Sequence, residues 1–224
     1  MSKNQLHGKT FEKIILDSFN INESKKTSVF DVNDPCLKYP ISIKTTEYKG
    51  NDTTIYLSDA SRVWNWDKII SLGKEDKKEE ASLCIILGLY NYNKEETVKI
   101  FKKINVIKIN LNKNTKSQLY GSLSLSEIFA LHLKIGKDFF DSPEKAREFA
   151  QKVKENFLND NRFGFIKINP KIDSKNQRRL QCSIKLEDLL KIKSEENIEH
   201  IELPLKNIIL PLEIESSRRE RKKK

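Results

Sequence analysis

The sequence is poor in the residues that build several common functional sites. Glycine accounts for only 7 of 224 residues, and neither a glycine-rich phosphate loop nor a dinucleotide-binding fingerprint is present. The three cysteines, Cys36, Cys84 and Cys182, are odd in number and widely spaced, which argues against a disulfide framework and against a zinc site. The histidines are isolated, and none has a partner at metal-ligand spacing.

Long hydrophobic segments are absent as well. No run approaches the roughly 18 apolar residues that suggest a membrane-spanning helix, and the N-terminal segment MSKNQLHGKTFEK lacks the apolar stretch of a signal peptide. Hydrophobic residues make up 37% of the chain and charged residues 33%, a composition typical of globular proteins. We therefore expect a cytoplasmic protein with reduced cysteines and no membrane segment.

Positive charge, in contrast, is abundant. The formal net charge is +10, and the C-terminal SSRRERKKK has six basic residues and one acidic residue, so it supplies +5 and leaves +5 for the body. We expect this tail, residues 216–224, to be disordered and to attract phosphates without specificity. A body that stays basic favours a polyanionic partner such as nucleic acid.

The hydrophobic pattern of residues 1–111 predicts alternating helices and strands. A helix over residues 9–19 has an apolar stripe that also contains a carboxylate, Glu12. Three short β-like runs follow, at residues 27–32, 40–46 and 53–58. The sequence Lys49-Gly50-Asn51-Asp52 predicts a hairpin turn between the second and third runs.

The next elements complete a mixed α/β core. A helix capped by Ser58 or Asp59 is predicted to run to Gly73. Residues 81–90 are a continuous apolar run, typical of a strand covered on both faces. A helix over 94–104 and a strand over 105–111 follow. The order α, β, β, β, α, β, α, β predicts a mixed central sheet with flanking helices.

Residues 112–215 are predicted to form an added α+β lobe. Helices are expected over 124–133 and over 142–159, with Ser142 as the cap of the second. Residues 162–173 and 178–186 are expected to form a hairpin, and residues 196–214 one or two strands.

The predicted hairpin is rich in positive charge. A two-stranded ribbon fits the major groove of DNA, and arginine pairs well with guanine edges. We interpret the following residues as DNA-binding, with a solvated surface hairpin as the alternative: Lys167, Lys171, Lys175, Arg178, Arg179 and Lys185.

Three polar residues lie on strands whose other positions are apolar. Period-2 alternation places Ser42 and Lys44 on one face of their strand. Asp31 lies on the preceding strand, and Glu12 on the first helix is expected to reach the same place. Such carboxylates would hold Mg²⁺ through oxygen ligands. The metal would then acidify an attacking water beside a phosphodiester, with Lys44 offsetting the developing charge.

This arrangement resembles the PD-(D/E)xK nuclease superfamily, the fold of most restriction endonucleases. The matching residues are Glu12, Asp31 in FDV, and Ser42-Ile43-Lys44 in PISIKTT, followed by a further strand, a helix and a buried strand. The resemblance covers roughly residues 7 to 111. It implies a restriction-endonuclease-like core and a Mg²⁺-dependent nuclease that cuts double-stranded DNA, usually as a homodimer.

The chain departs from the family pattern at two positions. Phe30 precedes Asp31 where the family has proline, and Ser42 stands where the family most often has an acid. Some restriction enzymes with serine at that point draw a second acid from downstream. Glu12 is our first choice for that acid, and Asp59 and Glu47 are the alternatives.

The sequence thus predicts a sequence-specific endonuclease of the restriction type, with residues 1–111 as nuclease core and 112–215 as recognition and dimerisation lobe. A non-catalytic DNA-binding or regulatory protein and a structure-specific nuclease, such as a junction resolvase, are the alternatives. A polar strand edge is the structural alternative for the trio. The motif alone is weak, because Asp173 and Ser183-Ile184-Lys185 repeat nearly the same spacing without the surrounding elements.

Overall fold

A computed structural model describes most of the chain. The described residues are 3–19, 30–32, 39–71, 81–93, 98–135, 140–158, 162–172, 178–192 and 198–211. The first part of the predicted strand at 27–32, the end of the helix predicted to reach Gly73, Lys175, and the tail at 216–224 lie outside these residues.

Seven helices and seven strands are present in the described part of the chain. The helices are α1 (Lys3–Phe19), α2 (Ala60–Val63), α3 (Trp66–Ser71), α4 (Lys113–Tyr120), α5 (Leu125–Ile135), α6 (Pro143–Leu158) and α7 (Leu186–Leu190). The strands are β1 (Ile41–Glu47), β2 (Thr54–Asp59), β3 (Ser82–Asn93), β4 (Val98–Asn110), β5 (Lys167–Ile172), β6 (Arg178–Lys185) and β7 (Ile198–Pro211). None of the described helices is long and apolar enough to cross a membrane.

The first sheet is mixed and has the strand order β1-β3-β4-β7. β1 runs parallel to β3, whereas the β3–β4 and β4–β7 pairs are antiparallel. Residues before β1 extend this sheet, because Val32 forms an isolated antiparallel bridge with Ile41. The α/β class with a mixed sheet and flanking helices is therefore confirmed.

The second sheet is antiparallel, with the order β2-β6-β5. Its β5–β6 pair is the predicted hairpin. The predicted pairing of the strands at 40–46 and 53–58 is wrong, although the chain does turn at Gly50, which has a φ of 58°. One edge of β1 is occupied by β3 and part of the other by Val32, so β2 pairs with β6 instead.

The helix predicted over 94–104 is also wrong where the structure describes it, because β4 is continuous from Val98 to Asn110. The register of β4 against β7 shifts between Phe101 and Lys103. This irregularity breaks the period-2 alternation and brings Phe101 and Ile104, three residues apart, into the same hydrophobic cluster, a spacing that is typical of a helix. The 12-residue β3 gives the segment its antiparallel partner.

The helix predicted to follow β2 is interrupted. It consists of α2 and α3, with Trp64 and Asn65 between them. Asp59 is its N-cap, and its side chain accepts a hydrogen bond from the Ser61 N–H at 3.0 Å.

Two hydrophobic clusters lie on opposite faces of the first sheet. The larger cluster includes Leu83, Ile85 and Leu87 of β3 and also buried residues of the second sheet and of α5. The smaller cluster packs α1 against Ile43 and Ile86. β3 is thus covered on both faces, as its apolar run predicts.

The boundary predicted after residue 111 does not separate the two sheets. β7, from the predicted lobe, pairs with β4 in the first sheet. β2, from the predicted core, pairs with β6 in the second sheet. Both sheets therefore contain strands from each side of residue 111.

Gly88 allows α1 to dock against the sheet. A Cβ atom at this position would lie 2.5 Å from Phe11 Cζ and 2.9 Å from Phe101 Cε1, and these two rings are stacked with centroids 4.7 Å apart.

We expect Gly88→Ala to lower the free energy of unfolding by about 1–3 kcal/mol through overpacking, measured by urea denaturation. In a Phe11→Ala background the same change should cost much less. An equal loss of unfolding free energy in the wild-type and Phe11→Ala backgrounds would contradict this packing.

Candidate active site

The structure brings Asp31, Ser42 and Lys44 together. Asp31 Oδ2 accepts hydrogen bonds from the Ile43 N–H at 2.6 Å, from Lys44 Nζ at 3.0 Å and from Ser42 Oγ at 3.2 Å. Three donors from consecutive residues of β1 therefore meet at one carboxylate oxygen of the preceding segment. The proximity expected from the sequence is present.

The local backbone explains this convergence. Val32 donates its N–H to Ile41 O at 3.0 Å, and Ile41 returns its N–H to Val32 O at 2.8 Å. The next N–H on this edge of β1 belongs to Ile43, and the Asp31 carboxylate accepts it in place of a backbone carbonyl. The side chain of Asp31 thus continues the hydrogen bonding of the strand edge, which was not foreseen from the sequence.

Ser42 and Lys44 lie on the face of β1 that looks towards the second sheet. In the parallel register, Ser42 is the partner of Ile85 and Lys44 is the partner of Leu87. Both partners belong to the larger hydrophobic cluster. Because paired residues of adjacent strands share a face, the hydroxyl and the ammonium point into the region between the two sheets.

A cavity of about 240 Å³ opens beside this group. It is lined by Ser42 and Lys44 together with apolar and polar side chains of neighbouring elements: Phe30, Leu57, Ser58, Trp66 and Ile85. The side chains of Lys44 and Asp31 are 29% and 25% exposed, so solvent and solutes reach both. The apolar walls strengthen electrostatic interactions inside the cavity.

The two oxygens of the Asp31 carboxylate differ in their described contacts. Its described contacts all involve Oδ2, and within the described residues Oδ1 has no hydrogen-bond donor. The ion pair with Lys44 and the two further donors fix the orientation of the carboxylate. Oδ1 is therefore held in a defined position from which it can bind a cation or accept a proton.

Asp59, one of the candidates for a second acid, has a structural contact of its own. Its Oδ1 accepts hydrogen bonds from the Ser61 N–H at 3.0 Å and from Ser61 Oγ at 2.7 Å. His132 Nδ1 lies 3.7 Å from the same oxygen. The carboxylate thus caps α2, and its described contacts do not include Asp31.

The other two candidates lie on the opposite side of β1. Glu47 shares the face of Ile43 and forms an ion pair with Lys49 at 3.2 Å. Glu12 is half-buried on α1, which packs against Ile43. Among the described residues, no group of three or more histidine, cysteine, aspartate or glutamate side chains is arranged to hold a metal ion. The described contacts of Glu47 and Asp59 do not include Asp31.

The basic residues predicted to bind DNA are divided between two faces of the hairpin. Strand alternation places Lys167, Lys171, Arg179 and Lys185 on the face opposite the buried residues Leu180 and Ile184. Lys185 forms an ion pair with Asp52 at 2.8 Å. Arg178 is half-buried and lies on the side of Leu180, so it does not share a surface with the others.

Comparison of the chain with protein-family models, with curated proteins and with solved structures gives no match.

Proposed function

We propose that this protein is a Mg²⁺-dependent endonuclease that hydrolyses phosphodiester bonds of double-stranded DNA at Asp31, Ser42 and Lys44. The observation that carries the proposal is the convergence of these three side chains beside an accessible cavity. The sequence of elements supports it, since a helix, a short Asp31 segment, β1, the further strand β2, two helices and a buried strand parallel to β1 follow one another. That is the order that the resemblance implies.

The residues present fit a weakly held magnesium ion. Mg²⁺ keeps several waters and is usually bound through one or two carboxylates together with substrate phosphates. Asp31 Oδ1 offers one such ligand, and we propose Glu12 as the second acid, with Glu47 and Asp59 as alternatives. When bound, the ion supplies Lewis acidity that polarises the phosphate and activates a water.

Lys44 supplies a fixed positive charge at the site. Its ammonium is held 3.0 Å from Asp31 Oδ2 and retains further N–H donors for a phosphate oxygen or for the attacking water. Negative charge grows on the phosphate oxygens in the transition state, so a preorganised cation stabilises that state more than the bound substrate.

Ser42 has a positioning role in this proposal. Its hydroxyl donates to Asp31 Oδ2 at 3.2 Å, and the Ile43 N–H does so at 2.6 Å. Together with Lys44 these donors fix the orientation of the Asp31 carboxylate. A serine thus stabilises the carboxylate at the position where the family most often has a second acid.

The partner and the oligomeric state that we propose follow from charge and symmetry. The partner is double-stranded DNA, because the chain carries a net charge of +10 and nucleic acid is a polyanion. We propose a restriction-type enzyme that acts in the cytoplasm as a homodimer, since a twofold-symmetric protein reads a palindromic site.

A non-catalytic DNA-binding protein is the second candidate, and one observation favours it. The Asp31 carboxylate completes the hydrogen bonding at the edge of β1 and neutralises Lys44. A strand edge with satisfied polar groups shows the same contacts without any catalysis. In that case the basic hairpin and tail alone would account for function.

Incubation of purified protein with plasmid DNA, with Mg²⁺ or with EDTA, separates these functions. We expect discrete fragments with Mg²⁺ and intact plasmid with EDTA. Smearing would indicate a nuclease without sequence specificity, and cleavage confined to branched DNA would indicate a resolvase. A gel shift without cleavage under either condition would refute the nuclease and favour the binding protein.

The second acid can be identified by a pair of conservative variants. If Glu12 assists the metal, Glu12→Gln should slow cleavage at least about tenfold, as expected for a lost ligand or a lost neighbour of a ligand. Asp59→Asn should cleave like the wild type, because asparagine also caps helices well. Cleavage rates measured against Mg²⁺ concentration decide between them. A strongly impaired Asp59→Asn beside an active Glu12→Gln would assign the second acid to Asp59.

A further inference from the structure

A polar groove lies between α6 and β5, on the side of the molecule that carries the predicted hairpin. α6 buries Ala146, Ala150 and Val153, and the neighbouring stripe of the same helix carries Arg147, Gln151 and Lys154. A cavity of about 170 Å³ separates this stripe from Asn169 of β5. The groove is thus lined by cationic and amide side chains from two different elements.

Lys154 lines this groove, and two further cations lie beside it, on the strand face that carries Asn169. Lys171 and Arg179 are cross-strand partners in the β5–β6 pair. Burial and the positive charges of Arg179 and Lys154 all lower the pKa of Lys171. Like charges held this close repel each other, and an anion placed among them would remove that repulsion.

These cations differ from other basic residues of the protein in their partners. Lys44, Lys103, Lys116 and Lys185 each form an ion pair with a carboxylate. Within the described residues, Lys154, Lys171 and Arg179 form no such pair. Their charges therefore remain available to a ligand that lies outside the chain.

An exposed aromatic ring adjoins the cluster. Tyr56 of β2 is 52% exposed, and Lys171 Nζ lies 5.5 Å from the centroid of its ring. The part of β2 after Tyr56 has another role, since Leu57 and Ser58 line the cavity beside Lys44. β2 thus contributes to the candidate active site and to the basic surface.

We propose that the groove lined by Arg147, Gln151, Lys154 and Asn169, together with the neighbouring cations Lys171 and Arg179, binds the phosphate backbone of the DNA substrate. This inference rests on the proposed function and names the surface that function requires. Cations neutralise the phosphates, and side-chain amides donate hydrogen bonds to phosphate or base edges. α6 thereby becomes part of the DNA-binding surface beside the hairpin.

Salt-dependent binding tests the groove separately from cleavage. The probe is a fluorescein-labelled duplex of mixed sequence, titrated in EDTA at several potassium chloride concentrations and followed by anisotropy. We expect Lys154→Ala, Lys171→Ala and Arg179→Ala each to weaken binding and to reduce the slope of log K against log salt by about 1. Lys152→Ala is the matched control, because Lys152 lies on the other side of the same helix.

The outcomes separate this inference from the proposed function. If the wild type binds the duplex and all three groove variants bind it as Lys152→Ala does, the groove proposal is overturned. The nuclease proposal is unaffected by that result. Selective loss in the groove variants would support the groove, even if Mg²⁺ induced no cleavage and the nuclease proposal failed. A wild-type protein that binds no duplex at any salt concentration would overturn the groove.

Discussion

Asp31→Asn should abolish Mg²⁺-dependent cleavage while the protein binds DNA as tightly as the wild type or more tightly. Asparagine retains an oxygen that accepts the Ile43 N–H, which Asp31 accepts at 2.6 Å, so the edge of β1 should stay intact. The substitution removes the proposed anionic metal ligand and a negative charge that would lie beside the phosphates. A loss of several kcal/mol of transition-state stabilisation corresponds to a rate reduced by about a thousandfold or more.

Asp52→Asn is the matched control for this variant. Asp52 is also paired with a lysine, Lys185, at 2.8 Å, but it lies on the exposed β1–β2 turn. Cleavage by Asp52→Asn should remain close to that of the wild type. Single-turnover rates and gel shifts of both variants provide the comparison. Activity of Asp31→Asn within about tenfold of the wild type, which is under 1.4 kcal/mol, would remove Asp31 from the mechanism.

Lys44→Ala and Lys185→Ala should have different phenotypes, although both lysines stand in a Ser-Ile-Lys sequence. Lys44 is held beside Asp31 at the cavity, so its loss should reduce the cleavage rate by several orders of magnitude. Lys185 is half-exposed and pairs with Asp52. Its loss should lower the affinity for DNA or the salt dependence of DNA binding. The cleavage rate at saturating DNA should remain largely unchanged.

Measurement of the rate and the affinity separately for each variant distinguishes catalysis from binding. Lys44→Met serves as a further control, because methionine keeps most of the side-chain volume and lacks the charge. If Lys185→Ala lost cleavage and Lys44→Ala only affinity, the site would lie at the second Ser-Ile-Lys sequence.

The convergence at Asp31 could be predicted from the sequence because its causes are local. Strand alternation places Ser42 and Lys44 on one face. Asp31 is close in sequence to β1, which favours antiparallel pairing between the two segments, as in the Val32–Ile41 bridge. The buried strand β3 was predictable for a similar reason, since its uninterrupted apolar run requires cover on both faces.

The arrangement of the two sheets could not be predicted, because it depends on contacts between residues far apart in the sequence. A turn sequence at residues 49–52 indicates a hairpin, but it does not show that β3 pairs with β1 in parallel. Nor does it show that β6, more than a hundred residues away, pairs with β2. The register shift after Phe101 also interrupts the alternating pattern of β4. For this reason the first part of that strand was predicted as a helix.

The sheet face that α1 covers was unpredictable for the same reason. A carboxylate on the apolar stripe of a helix signals an unusual environment, but the sequence does not specify which sheet face the helix covers. In the structure α1 packs on the face of Ile43, and Lys44 points to the other face. The serine at position 42 has a role that its type alone does not reveal, since its hydroxyl donates to Asp31.

Rapid mixing of a preformed protein–DNA complex with Mg²⁺ tests the central claim most directly, because binding is complete before the reaction begins. The fraction of cut duplex is followed over time for the wild type and for Asp31→Asn, with DNA binding verified in both. The account predicts a single-turnover burst of cut duplex in the wild type and none in Asp31→Asn. Equal rates in the two proteins, or a wild-type complex that leaves its cognate and every other duplex intact, would contradict it.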